Sequence, residues 1–425
     1  VYPWRFQGSF AAEDKSYDRL WDISLKTIRR CTYETFMDCP YYERMQYVMD
    51  TMLQANYLYG VTDDLRLTRQ ALRDFADAQL PDGVIPCCAP SNFISIIPGF
   101  MLFYIFFLHD YYVFTGDIGY VKQFLPAAEK VLDYFLARKL ENGLIGDTGF
   151  WQYVDWTREW QGGRPVDSKT DINIIYNMMF VKALKDCAYL FEARGKADTA
   201  KELRGLAEQT AAAIRNSAWD AGRQLYSDST DHTKNKSQHA QVWAVLSGLA
   251  AGEQAKAVMR TAIEDKTLSR CSYSMSYFLF RALEETGLYR CTRQLIAQWI
   301  DLLRYNVTTW PEDPLNQRSD CHAWSAVPLY EFISCYLGVK PLEPGFEKVL
   351  IKPQAFWLSS VHGRVVTPKG MIEVACDITG DRFRLKAVLP EKLESVVELP
   401  DGSRRRFTQS EIDCSCKINR TSANQ

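Results

Sequence analysis

The chain is poor in the features that would tie it to nucleic acid, membranes or metals. Its 425 residues carry 50 basic and 52 acidic side chains, a formal net charge of −2. That near-balance leaves no basic field to draw in nucleic acid or an anionic membrane surface. Only five histidines are present, and none pairs with the cysteines in a zinc-binding spacing. Of the 12 cysteines only Cys87-Cys88 and Cys414-Ser415-Cys416 are neighbours in sequence. They read as buried thiols, and no metal or cofactor is expected. An oxidising compartment could still pair some of them, so the compartment stays open. Long apolar runs are missing too: Phe93 to Leu108 is broken by Pro98 and Gly99 and is too short to span a bilayer. No signal peptide is visible, and the opening Val1-Tyr2-Pro3-Trp4 reads as the middle of something longer. No fixed internal period supports a solenoid.

Aromatic residues, by contrast, are plentiful. With 11 Trp, 23 Tyr, 22 Phe and 47% hydrophobic residues, the chain can bury a large core and hold a second, smaller domain. Aromatic faces with polar tips suit stacking on sugar rings. The partner expected is thus a compact neutral ligand, a small molecule or oligosaccharide, with the oligomeric state left open.

After an extended lead-in over residues 1–10, apolar residues recur three and four apart almost to residue 337. Twelve helical stretches follow from that spacing: 14–31, 40–60, 64–79, 98–115, 118–138, 170–194, 196–217, 237–250, 253–265, 272–286, 289–304 and 320–337. Gly60, Pro81-Asp82-Gly83, Thr115-Gly116-Asp117 and Arg194-Gly195 mark corners between them. Twelve helices in antiparallel pairs predict a mainly α fold, an (α/α)6 barrel over residues 11–340. Beyond Gly338 the pattern alternates. Val365–Pro368, Met371–Asp377, Phe383–Leu389 and Val396–Leu399, parted by tight-turn residues, predict a small C-terminal antiparallel β-sandwich over residues 341–425. The run Arg404-Arg405-Arg406 reads as a solvated strand end.

The densest chemistry lies in Asp38-Cys39-Pro40-Tyr41-Tyr42-Glu43, followed by Tyr47 and Asp50. Pro40 predicts the first turn of a helix, with Asp38 as its cap. Glu43, Tyr47 and Asp50 then fall on one helical face. Carboxylates crowded among aromatic rings push one pKa up and leave neighbours ionised, which is acid/base chemistry in outline. Three long connections are also expected to carry function. One runs from Pro81 to Pro98, and one from Asn142 to Lys169 with Trp151, Asp155, Trp156 and Trp160, read as a sugar-stacking wall. The third runs from Asn306 to Asp320 with Trp310 and Glu312, and His322 follows it. Glycoside hydrolysis needs two carboxyl groups across the scissile bond, one protonated and one ionised. Glu43 and Glu312 can supply them if the rims of the inner helices converge. A gap of roughly 6.5–9.5 Å would imply inversion of configuration.

The run Asp38-Cys39-Pro40 with Glu43 and Asp50 resembles the signature of the bacterial α-L-rhamnosidases of glycoside hydrolase family 78. Thr308-Thr309-Trp310-Pro311-Glu312, Ser319 to Trp324 and the pair Asp155-Trp156 are similar to the family's other landmarks in the same order, and the likeness extends from Gly8 to the strands after Phe346. The resemblance implies an (α/α)6 barrel, a C-terminal β-sandwich and metal-free inverting hydrolysis of terminal α-L-rhamnose by a bacterial enzyme, periplasmic or cytoplasmic. It also implies further β-domains ahead of the barrel, in keeping with the abrupt start. By position it makes Glu43 the general acid and Glu312 the general base. Asp38, Asp50 and His322 become hydroxyl-binding groups, and Tyr47 stands where many relatives have a stacking Trp.

Three departures bear on which sugar is bound. Tyr42 occupies a place where many members have Arg, Pro311 displaces the base glutamate by one so that Asp313 rivals Glu312, and the Trp expected ahead of the fourth helix is absent, with Phe93 and Phe100 nearby. Tyr42, Trp151, Asp155, Trp156 and Trp310 complete the expected substrate contacts. The alternatives are a related (α/α)6 glycosidase for another terminal sugar, and a catalytically silent sugar-binding protein. A thiol enzyme on Cys39 or Cys321 is more distant, because His322 has no evident orienting partner in sequence.

Overall fold

Two kinds of helix alternate along the chain, and their burial explains the architecture. The computed structural model describes residues 1–166, 170–231, 236–315 and 318–418. The end of the loop expected to reach Lys169 and the tail 419–425 of the expected sandwich lie outside the described residues. In chain order the barrel region contains β1 (Ser9–Ala12), α1 (Lys15–Arg30), α2 (Val48–Leu58), α3 (Arg66–Asp77), α4 (Pro98–Thr115), α5 (Ile118–Val121) and α6 (Leu125–Leu136). It continues with α7 (Ile174–Ala193), α8 (Ala197–Ala218), the short pair β2 (Trp219–Asp220) and β3 (Leu225–Tyr226), and α9 (Gln238–Leu246). The remaining helices are α10 (Gly252–Glu264), α11 (Tyr273–Glu285), α12 (Thr292–Leu295), α13 (Ala297–Leu302) and α14 (Pro328–Glu331).

Every residue of α2 is buried, as are most of α4, α7, α9 and α11. Helices apolar on all sides belong inside. Outer helices show one stripe instead: α3 buries Leu67, Thr68, Ala71, Leu72 and Phe75, a three-and-four spacing that covers a single face. Around the inner ring α2 packs on α4, α4 on α7, α7 on α9 and α9 on α11. The turn Ala323–Ser325 and α14 then bring the chain back to α2, which closes the barrel. Local chemistry sets the ends. Asp14, Asn173 and Ser237 accept from first-turn N–H groups of α1, α7 and α9, and Gly116 ends α4 at φ 71°, where a side chain would be strained.

One expected helix begins later than its proline suggested. Residues 38–46 are irregular and α2 starts at Val48. Asp38 does not cap a helix; its Oδ1 accepts from the Met45 N–H at 2.8 Å and its own N–H donates to the Met45 carbonyl at 3.0 Å, closing a loop. Arg44 sits at φ 56° inside that loop, outside helical geometry. Glu43 and Asp50 therefore share no helix face. The stretch 118–138 is two helices, and 289–304 is a run of short helical pieces that includes α12 and α13. The stretch 320–337 gains α geometry only at Pro328, which opens a first turn without needing its N–H.

Beyond the barrel lie β4 (Val339–Pro341), β5 (Lys348–Ile351), β6 (Ser360–Thr367), β7 (Gly370–Thr379), β8 (Arg382–Val388), β9 (Glu394–Glu398), β10 (Arg404–Phe407) and β11 (Glu411–Lys417). They form a five-stranded sheet, β1-β6-β7-β8-β11, and a four-stranded sheet, β10-β9-β5-β4. All pairs are antiparallel except β5 with β9. The lead-in ends in β1, which is an edge of the C-terminal sheet, with Ser9 opposite Arg364 and Ala12 opposite Val361. At Gly363 a Cβ would collide with the Ser9 carbonyl, so the close pairing needs glycine there. Arg404 to Arg406 are exposed on β10, a solvated strand end as read from sequence. All twelve cysteines are free thiols, nine buried and three partly so.

Candidate active site

Four loops and helix starts meet at one end of the barrel. Tyr47, the residue just before α2, and Asp50, in its first turn, come up from the inner ring, while Ile97 and Phe100 come from the start of α4. The loop after α13 brings Glu312 and Arg318, and the following turn brings His322 and Trp324. Backbone bonds register these pieces: Ala323 N–H donates to the Asp38 carbonyl at 3.1 Å, His322 N–H to Trp310 O at 2.8 Å, and Glu312 N–H to Ser319 O at 2.9 Å. The hollow they enclose, with Asp38, Glu43, Trp151, Tyr153 and Trp156, measures about 60 Å³.

At its floor, His322 Nε2 faces Asp50 Oδ1 at 3.2 Å, both groups 2% exposed. Burial pushes the Asp50 carboxyl up, against the pull of His322. Burial also works against a charged imidazole, yet the Asp50 bond and the charges of Asp50, Asp38 and Glu312 leave His322 raised overall. Asp38 is pushed up to about 7, by burial first and by Asp50, with His322 opposing. Its Oδ2 and His322 Nδ1 are buried without a hydrogen-bond partner among the described residues. Burial tends to raise Glu43 as well, but the Arg318 bond, with the neighbouring Asp38, outweighs it and holds Glu43 below the usual range.

Arg318 spans the hollow. Its NH1 donates to Glu43 Oε1 at 3.1 Å, its NH2 to Glu312 Oε1 at 3.1 Å and its Nε to Glu312 Oε2 at 3.2 Å. Glu312 is 3% exposed. Two bonds of that length on one rigid fork place the two carboxylates no farther apart than about 8.5 Å.

Opposite stands an aromatic wall. Trp151 is 39% exposed and donates its Nε1 to the Gly162 carbonyl; Trp151, Tyr153 and Trp156 lie with ring centres 5.0 to 6.0 Å apart. Phe100 meets Tyr47 edge-on at 6.3 Å, on the side where sequence had offered no tryptophan.

Three expected substrate contacts sit elsewhere. Asp155 is fully buried; it accepts from Ser272 Oγ at 2.5 Å and Ser272 N–H at 2.8 Å and pairs with His239 Nε2 at 2.7 Å. Those bonds fasten the tryptophan loop to the starts of α9 and α11. Trp310 is fully buried, its Nε1 donating to Ser24 Oγ on α1 at 2.7 Å. Tyr42 is 53% exposed outside the hollow, with the Arg318 guanidinium 5.5 Å from its ring centre. Trp160, part of the expected wall, is buried against His239 instead. Asp313, the rival base, does not line the hollow, and its Oδ1 accepts from the Leu315 N–H at 2.7 Å.

Sequence reasoning gave no role to Arg318, Tyr153, Phe100 or Ile97. Arg318 stood six residues past Glu312 in the same loop, but one arginine in a polar loop carries no signal until its partners are known. Asp38, Cys39 and His322 bring one ligand atom each within 4.8 Å of one another. Asp38 Oδ1 and His322 Nε2 are engaged with Met45 and Asp50, whereas Asp38 Oδ2 and His322 Nδ1 are the unpartnered atoms of the set. A larger cleft of about 200 Å³ lies between the far ends of α2 and α4 and strand β4, away from these carboxylates. Among the described residues no helix is long and apolar enough to cross a membrane.

Comparisons with known proteins follow the same division of the chain. Residues 5–333 match the model of the bacterial alpha-L-rhamnosidase 6 hairpin glycosidase domain, and residues 338–412 that of the bacterial alpha-L-rhamnosidase C-terminal domain. No curated protein matches. Among solved structures, the family 78 rhamnosidase of Bacillus sp. GL1 is similar at 30% identity and a TM-score of 0.87, over 95% of this chain and 44% of that one. The α-L-rhamnosidase of Dictyoglumus thermophilum gives 18% identity and 0.85 over 97% and 50%, and that of Streptomyces avermitilis, complexed with L-rhamnose, 17% and 0.82 over 97% and 42%. The chain thus spans about half the length of these proteins or less. With a catalytic-domain model matching most of its length, and the C-terminal model the rest, the chain belongs to the bacterial α-L-rhamnosidase family.

Proposed function

We propose that this chain carries the catalytic unit of an inverting exo-α-L-rhamnosidase, with Glu43 as general acid and Glu312 as general base. The observation that supports it best is the meeting of these two acids, remote in sequence, on one guanidinium in one hollow faced with aromatic rings. In this reading Glu43 gives its proton to the glycosidic oxygen as the bond to the anomeric carbon breaks. Glu312 takes a proton from the water that attacks the opposite face, and the new hydroxyl carries inverted configuration. The bound of about 8.5 Å on the carboxylate spacing is compatible with the roughly 6.5–9.5 Å that inversion needs, and the first-formed anomer decides between inversion and retention. Glu312 is favoured over Asp313 because it alone of the two lines the hollow. Asp38 Oδ2 and His322 Nδ1, polar atoms without partners, are suited to sugar hydroxyls, and Trp151 and Trp156 to the apolar face of the ring or its aglycone. The solved relative whose complex holds L-rhamnose favours that sugar.

The test is hydrolysis of an aryl α-L-rhamnoside beside a panel of other aryl glycosides, with the first-formed anomer read by proton NMR. Glu43→Gln and Glu312→Gln are each expected to lower kcat by about 10³-fold or more with the fold intact. Retention of configuration, or loss of only a few-fold in either variant, overturns the assignment.

A further inference from the structure

We propose that Arg318 is a positioning residue that latches the resting site: it holds the base Glu312 in place with two nitrogens and must release the acid Glu43 when a sugar enters. This rests on the roles given to Glu43 and Glu312 above.

The grip is unequal. Glu312 receives Nε and NH2 side by side, a bidentate contact, while Glu43 receives NH1 alone. A bidentate pair is stronger and better oriented than a single bond, so Glu43 is the partner that lets go first. The contact also suits the two acids differently. A general base must be an oriented carboxylate, which the fork favours. A general acid must carry a proton, and a carboxyl accepting from a guanidinium does not. The geometry seen is therefore a resting one, not the one that reacts. The hollow agrees: the guanidinium bridges the two acids across the space of about 60 Å³ that they line, where a sugar set between them would have to lie. Arg318 is 36% exposed and its guanidinium stands 5.5 Å from the ring centre of Tyr42, itself on the surface. The Tyr42 face offers a cation–π seat for an arginine withdrawn from Glu43.

Once NH1 withdraws, the charges left around Glu43 are mainly acidic. Asp50 and Glu312 face it with the Tyr47 phenol and the Cys88 thiol, while Asp38 and His322 are the groups left that still favour its charge. Glu43 would then take up the proton it has to deliver. Asp38, with its carboxyl near 7, is an adjacent group able to supply it.

The test compares wild type, Arg318→Gln and Arg318→Lys, each first shown to keep the wild-type circular dichroism and melting. Carbon-13 carboxyl NMR of the free proteins reads Glu43 directly. Glu43 is expected to titrate about one unit or more higher in R318Q, with R318K between. On an aryl α-L-rhamnoside, the alkaline limb of the kcat/KM profile should move up in pH with it, since that limb reports the acid of the free enzyme, while kcat falls as Glu312 loses its brace. An unchanged Glu43 titration, or a lower kcat with the wild-type pH profile, overturns the latch. If wild type cleaves no rhamnoside, the hydrolase reading fails by itself and the NMR titration still decides whether Arg318 holds Glu43.

Discussion

Asp155 and Asp50 have the same side chain and comparable burial, yet only one faces the hollow. Asp155 spends its oxygens on Ser272 and His239, so its task is to pin the loop that carries Trp151 and Trp156. Removing it would leave His239 Nε2 and the Ser272 donors buried without a partner, a loss on the order of 1–3 kcal/mol or more. Asp155→Ala is expected to lower stability by that amount in denaturant unfolding and to raise KM for a rhamnoside more than it lowers kcat, because the aromatic wall drifts while the acids stay. His322 makes a pH-dependent contribution. Its folded pKa is raised, so the stability its charge contributes is present in full below about 6.5 and is lost as pH climbs through the folded value. The gap in unfolding free energy between wild type and His322→Gln, measured from pH 6 upward, should therefore narrow with rising pH. Sequence could nominate Glu43, Asp50, Glu312 and His322 because their residue types and order match the chemistry. It could not separate Trp156 from Trp310, since an indole reads alike whether it borders a hollow or donates to Ser24 inside the core.

At the level of elements, helix existence was legible and helix starts were not. The apolar spacing of α3, α4, α7 and α8 is long and regular, so their positions agree with expectation to within a few residues. The start of α2 failed because Pro40 and Asp38 are equally at home in a loop. The bonds of Asp38 to Met45, and of the Val48 N–H to the Cys87 carbonyl, come from tertiary partners that outweigh a local preference. The lead-in strand is a similar case: nothing in Ser9 to Ala12 names β6 as its neighbour. Gly363 makes that neighbour testable. Gly363→Val would force the Ser9 carbonyl aside, and the amides of residues 9–12 are expected to lose hydrogen-exchange protection while those of β7 and β8 keep theirs.

Across the whole molecule, barrel and sheets are bound by charge as well as by the shared strand. Lys340 on β4 pairs with Glu284 on α11, which also accepts from Gln354 at 2.9 Å and lies beside Arg281. Burial opposes the Glu284 charge, but Lys340 and Arg281 prevail and bring its pKa down to about 2. A depressed carboxyl adds stability above its unfolded value of about 4.3 and loses it as pH falls toward 2. The shift corresponds to about 3 kcal/mol. Acid unfolding of wild type is expected to be steeper across that window than that of Glu284→Gln, and the variant to be the less stable at pH 7. Since β1 belongs to the same sheet as the C-terminal strands, a chain cut after Leu337 is expected to leave an unpaired β1 and aggregate, as size-exclusion chromatography would show.

By itself the sequence determined the periodic content: helices that repeat every three to four residues, strands that alternate, and acids of the right kind at two helix and loop landmarks. Those properties are local, carried by residues a few places apart, and survive in a one-dimensional reading. Closure of the ring was decided only in three dimensions, and with it came the meeting of Glu43 with Glu312, the arginine between them, and the seating of one tryptophan in solvent and another in the core. Each of these depends on which distant segments come to lie within a hydrogen bond of each other, and packing settles that.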